Sequence, residues 1–196
     1  MLFISKQKKI SKGLSLIEAS MVLALSAIVV SGVLYYYNNA SSNRKLVENS
    51  KTIQMVISTI RTLYENQKPT TPIDLKAVAQ AGNFKTKSTG STTYIVMPTG
   101  ENLSILSGAA AFGNRLYAID FYTSDKNVCS HLASIKYGTS HFATEVGGRT
   151  GTVTPVATLL QKSAADRYLA VNKAATECSS KIDTTGMARV YMAFKG

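Results

Sequence analysis

The chain has 196 residues, 45% of them hydrophobic and 17% charged, with a formal charge of +11. That balance excludes a disordered polymer and leaves room for one modest domain with its own core. No basic stripe is interleaved with aromatic residues, which argues against a nucleic-acid reader; the charge suits solubility or contact with an anionic cell surface.

Four of the positive charges, Lys6, Lys8, Lys9 and Lys12, precede Gly13 with no acid among them. An apolar segment follows. Residues 19–37 carry no charge, and with residues 14–17 the run approaches the roughly 20 residues that span a bilayer. The preceding lysines place the N-terminus in the cytoplasm and the remainder outside. One acid, Glu18, interrupts the run. A carboxylate near the middle of a bilayer-length helix costs about 2.5–3.5 kcal/mol, so Glu18 needs either a partner or a route to the interface. A secretory signal peptide cut after "ALS" (residues 24–26) fits poorly. It would place Glu18 inside a short apolar region, and the run continues past that cut. A permanent membrane anchor fits the length. A cut before the apolar run, after Gly13, is the third reading.

No proline stands between Leu14 and Lys68, and one helix of roughly 80 Å is predicted over residues 14–67. Its first part, residues 14–37, is apolar all round. Its second, residues 38–67, is amphipathic, with Leu46, Ile53, Ile57, Ile60 and Tyr64 on one face. Tyr35, Tyr36 and Tyr37 suit a membrane–water boundary. Gly32 is the weak point, where glycine costs about 1 kcal/mol relative to alanine. The helix is expected to bend or melt there when packed in a filament. "KPTTP" (residues 68–72) stops it.

Residues 68–196 read as an α+β domain with a mainly antiparallel sheet. A short helix is expected from Pro72, capped by Thr71 and stopped by Gly82. "KTKSTGSTT" (residues 85–93) reads as an exposed loop. Strands are predicted over residues 93–98, 102–107 and 115–123. The last alternates Leu116, Ala118 and Phe121 imperfectly. "SDKNVCSHLASIKYG" (residues 124–138) reads as a capped helix with Val128, Leu132 and Ile135 beside Cys129. "GGRTGTVTP" (residues 147–155) reads as a turn-rich loop, residues 155–180 as mostly helical in two pieces, and "ARVYMAFK" as a final strand.

If this part is exported, Cys129 and Cys178 are expected to pair, adding roughly 3–5 kcal/mol; two buried free thiols are the other reading. Catalytic signatures are missing: no G-x-S-x-G, no H-E-x-x-H and no P-loop. "GGRTGT" lacks the P-loop lysine. His131 and His141 have no acid or cysteine at metal-ligand spacing, and Ser163 with Asp166 has no histidine nearby. No enzyme, metal or cofactor is expected.

The basic leader, the glycine and "LSLIE" together resemble the class III leader of type IV pilins and pseudopilins. The resemblance implies that a prepilin peptidase cuts between Gly13 and Leu14 and methylates the new Leu14 amine. Glu18 then stands fifth in the mature chain. It implies further that Glu18 of one subunit meets the Leu14 ammonium of its neighbour in a filament core, each offsetting the other's desolvation and setting axial register. A mature chain starting with leucine is similar to the type IVb pilins. The contexts "KNVCSHLASIKYGTS", "KAATECSSKIDTT" and "RVYMAFK" are similar to the bundlin family.

The implied fold is the type IV pilin fold, a long N-terminal helix packed on the sheet with Cys129–Cys178 bracketing a variable region. "YGTSHFATEVGGRTGT" (residues 137–152) is the implied exposed contact surface. The implied function is the major structural subunit of an adhesive or conjugation-associated pilus. Implied partners are other copies of the chain, a cytoplasmic assembly ATPase, an inner-membrane platform, an outer-membrane secretin and surface receptors. The subunit would sit in the inner membrane before assembly and outside the cell afterwards. A minor pilin or secretion pseudopilin is the alternative within this class. A membrane-anchored periplasmic binding protein or enzyme is the alternative outside it.

Overall fold

The structure is a computed structural model and describes residues 15–108, 115–149 and 154–196. The chain divides into two units, Met1–Asn43 and Arg44–Gly196. One helix, α1 (Leu16–Tyr64), supplies most of what is described in the first unit. It is long and apolar enough to cross a membrane, and that apolar window has no buried residue. Leu16 is 90% exposed, and Tyr36 is 76% exposed. The helix runs unbroken through Gly32 in this single chain.

In the second unit, six strands form one antiparallel sheet in the order β1-β2-β3-β4-β6-β5. They are β1 (Thr86–Thr89), β2 (Thr92–Val96), β3 (Asn102–Ser107), β4 (Leu116–Thr123), β5 (His141–Gly148) and β6 (Ala188–Lys195). The remaining helices are α2 (Leu75–Ala81), α3 (Lys126–Ser134), α4 (Val156–Leu159) and α5 (Val171–Thr185), with a 3-10 turn at Ala164–Asp166. The main core joins Ile53, Val56, Ile57 and Ile60 of α1 to one face of the sheet. Tyr117, Ile119 and Phe121 of β4 and Val190, Met192 and Phe194 of β6 supply that face. On the opposite face Leu116, Ala118, Tyr191 and Ala193 pack with Val156 and Leu159 of α4. Both faces of β4 are therefore covered. Successive side chains alternate between two cores rather than between core and water. This is why its alternation looked imperfect: Leu116 and Ala118 face one way, Phe121 the other.

The sequence-predicted fold class holds, and the bounds of β3 and β6 match the residues expected. Other expectations need correction. The cap of α2 is Asp74, whose carboxylate accepts from Lys76 N–H at 2.9 Å, not Thr71; the helix starts at Leu75, three positions after Pro72. Residues 85–93 are not a loop. Thr86–Thr89 pairs back on β2 through a two-residue turn in which Gly90 takes φ 61°, and β-branched threonines suit such a ribbon. The region after Pro155 is mostly helical, in two α-helices as expected, α4 and α5, with the 3-10 turn between them, and α5 runs past residue 180 to Thr185. The expected exposed surface at residues 137–152 is largely β5, whose His141, Phe142, Ala143 and Thr144 are buried. The expected loop at 147–155 begins inside β5, and residues 150–153 lie outside the described residues.

Candidate functional site

The N-terminal residues singled out by sequence divide into two groups. Gly13 and Leu14 lie outside the described residues. Glu18 is in the first turn of α1. The Ser15 N–H donates to Glu18 Oε2 at 2.9 Å, and the Glu18 N–H donates to Ser15 Oγ at 3.3 Å. This is a reciprocal capping box. It satisfies two amides at a helix start that no helical carbonyl can reach, and it sets the carboxylate against the positive end of the helix dipole. The S-x-x-E spacing at Ser15–Glu18 is the sequence signal for this box, a local partner distinct from a neighbouring chain or the membrane interface.

Beyond the uncovered half, three devices hold α1 to its domain. The first is the aliphatic stripe of Ile53, Val56, Ile57 and Ile60. The second is Asn49, fully buried on α1. Its Nδ2 donates to Thr99 Oγ1 at 2.5 Å, and its Oδ1 accepts from Thr99 N–H at 3.3 Å. Thr99 Oγ1 also donates to Glu101. That carboxylate accepts from Thr123 Oγ1 at 3.0 Å, and Thr123 Oγ1 accepts from Asp125 N–H at the start of α3. The third is Arg115, 5% exposed. Its guanidinium donates to the carbonyls of Thr71 (2.6 Å), Lys68 (2.6 Å) and Gln67 (3.2 Å), just past the end of α1, and lies 4.7 Å from the centre of the Tyr64 ring. The Tyr64 hydroxyl in turn accepts from Asp74 N–H at 2.7 Å. Neither Asn49 nor Arg115 stands out in the sequence, because their partners lie about fifty positions away.

Cys129 and Cys178 are bonded, with Cα atoms 5.9 Å apart, and tie α3 to α5. Both are fully buried. Asp125 caps α3 by accepting from Asn127 N–H and Val128 N–H. An exposed Lys126–Asp183 pair at 2.7 Å also joins the two helices, and its exposure makes it worth little.

His141 is buried against Tyr137, Tyr168 and Phe194. Its Nδ1 accepts from Tyr137 N–H at 3.2 Å, so the proton sits on Nε2, 3.0 Å from Ala143 O and from Thr144 Oγ1. Burial lowers its pKa from 6.5 to about 4. The Ala143 carbonyl opposes the shift, and the Lys136 charge adds to it. His141 is a core histidine with a fixed tautomer. No group of three or more His, Cys, Asp and Glu with metal-binding spacing occurs among the described residues. An open cavity of about 620 Å³ between the end of α1, Arg115, Ser140 and the C-terminus holds no histidine or cysteine.

The geometry is thus that of a helix with one uncovered apolar half and one firmly anchored half. Residues 38–191 match the bundlin family. The chain belongs to that family. It is 31% identical over 193 residues to the protein named major structural subunit of bundle-forming pilus in Escherichia coli O127:H6 (strain E2348/69 / EPEC), covering 94% of this chain and 96% of the relative. A protein of the same name in Escherichia coli O111:H- is 31% identical over 192 residues, with the same coverage. The fold is similar to the crystal structure of a type IV b pilin from Salmonella typhi. The TM-score is 0.53 at 12% identity, covering 76% of this chain and 98% of that one.

Proposed function

We propose that the chain is the major structural subunit of a type IVb pilus and that it polymerises through α1. The observation that carries this reading is the uncovered apolar half of α1, with Glu18 at its start, in a chain whose curated relatives are pilus subunits. Such a helix has two environments that hide it from water: a bilayer, or a bundle of identical helices. On this reading residues 1–13 hold the N-terminus in the cytoplasm. Residues 14–37 lie in the inner membrane, and the domain of residues 68–196 is exported. A prepilin peptidase cuts between Gly13 and Leu14 and methylates Leu14. Glu18 then meets the Leu14 ammonium of a neighbouring copy.

The role is structural rather than enzymatic, so an assembly ATPase, an inner-membrane platform and an outer-membrane secretin supply the work and the path. The outer face of the filament meets surface receptors. The test is the intact mass and N-terminal sequence of the protein recovered from membranes and from sheared filaments. A chain beginning at methylated Leu14, two mass units light for the disulfide, is the expected result. A chain retaining Met1, or cut after Ser26, would overturn the reading.

A further inference from the structure

The buried face of α1 within the domain consists of Asn49, Thr52, Ile53, Val56, Ile57 and Ile60. Four residues of helix rise about 6 Å and return the chain to nearly the same face. Slid by that step, Ile53 takes the place of Asn49, Val56 that of Thr52, Ile57 that of Ile53, and Ile60 that of Val56. Each exchange is like for like or apolar for polar. Arg61 would fall on the place of Ile57, Tyr64 on that of Ile60, and Ser50 on that of Leu46, which packs against the same core, so the mismatches lie at the two ends of the stripe. The centre of the aliphatic stripe therefore does not reject the slipped register, and the stripe opposes it only at its ends.

Directional contacts do reject it. Ile53 offers nothing to Thr99, whose N–H and hydroxyl are both engaged by Asn49. At the other end Arg115 grips the carbonyls of residues 67, 68 and 71 at fixed distances. A single buried amide chooses one alignment among near-equal apolar packings in the same way at coiled-coil interfaces.

We propose that Asn49 is the positioning residue that fixes the axial register of α1 on the sheet, with Arg115 holding the opposite end. The role of this register in assembly rests on the pilus-subunit reading above: α1 is one helix, so a slip in its second half carries Glu18 along by the same step.

The test uses the full chain in detergent micelles, with spin labels at Met55 on α1 and His131 on α3. Both positions are exposed. Asn49→Leu combined with Thr99→Val removes both side chains of the pair; the residue-99 backbone N–H and one Glu101 oxygen lose their partners in either register, so that loss does not favour one alignment over the other. The expected result is a cooperatively folded chain with a second distance population displaced by several ångström, and a filament yield at least tenfold below the parent. Thr99→Ser, which keeps both bonds, is expected to give one population and parental yield. A single distance at the parental value in the double variant overturns the proposal. If the double variant does not fold, Asn49→Ala is read by the same distance, and a single parental population there also overturns it. Failure of the parent chain to form filaments would count against the pilus reading alone, because the distance measurement decides register in the lone subunit.

Discussion

His141 makes stability depend on pH in a window where few other side chains titrate. The folded ring has a pKa of about 4 against 6.5 for an ordinary histidine, chiefly because it is buried. Protonating Nδ1 would also set a new N–H against the Tyr137 N–H that it now accepts. Between the two values the unfolded chain binds a proton that the folded chain does not. Stability is therefore complete above the unfolded pKa and is lost as pH falls through 6.5 toward 4. At 1.36 kcal/mol per unit the full loss is about 3 kcal/mol, of which roughly 2 kcal/mol falls between about pH 7.5 and pH 5. The assay is denaturant unfolding of the detergent-solubilised chain at several pH values, followed by near-UV signal. His141→Gln serves as a chain that cannot titrate at this position. Carboxylates titrate in both chains and cancel in the difference. The variant is expected to be less stable at neutral pH, but its curve should be flatter by roughly 2 kcal/mol over that range. Parallel curves would refute the argument, because they would mean that the ring charges as easily folded as unfolded.

Cys129→Ser opens a loop closed by residues 49 positions apart and should lower stability by about 4 kcal/mol; unfolding midpoints with and without reductant measure it, and an unchanged midpoint would exclude a stabilising bond. Glu18→Gln keeps a side chain able to complete the box with Ser15 but removes the charge, whereas Glu18→Ala removes both. Equal filament yield from Glu18→Gln and the parent, counted by electron microscopy, would mean that the carboxylate's charge has no part in assembly. Ser15→Ala should cost about 1 kcal/mol of helix start, seen as faster amide exchange confined to the first turn. Arg115→Met leaves three carbonyls and the Tyr64 ring without their cation and should cost roughly 2–4 kcal/mol; an unfolding midpoint equal to the parent's would show that water replaces the guanidinium without loss.

The parts of the fold legible in the sequence are those decided locally. The uninterrupted apolar run of α1, its stop before the prolines, and the alternation of β3 and β6 each need only neighbouring residues. The segment over residues 85–93 failed as a prediction for a related reason: its serines, threonines, lysines and glycine suit loops and exposed ribbons equally. Only pairing with β2 decides between them. His141 looked like part of an exposed stretch because the rings that bury it come from Tyr137, Tyr168 and Phe194, and the last is far away in sequence. Asn49 and Arg115 carry no local signal for the same reason: their partners lie far away in the chain.

A polar side chain states what it can donate or accept and leaves open which partner it meets. At the centre of the α1 stripe apolar periodicity is nearly degenerate under a shift of one turn, whereas a bidentate amide is not, so residues barely visible in the pattern help to select one arrangement among those that the pattern leaves close. Glu18 shows the converse. Its partner in the single chain is three residues away and local, yet a carboxylate has about four acceptor positions, and the box with Ser15 engages one of them through a single N–H. The remaining positions are open to an ammonium from another copy. Capping its own helix and pairing across subunits are therefore compatible uses of one side chain, and the contrast between Gln and Ala at this position separates them.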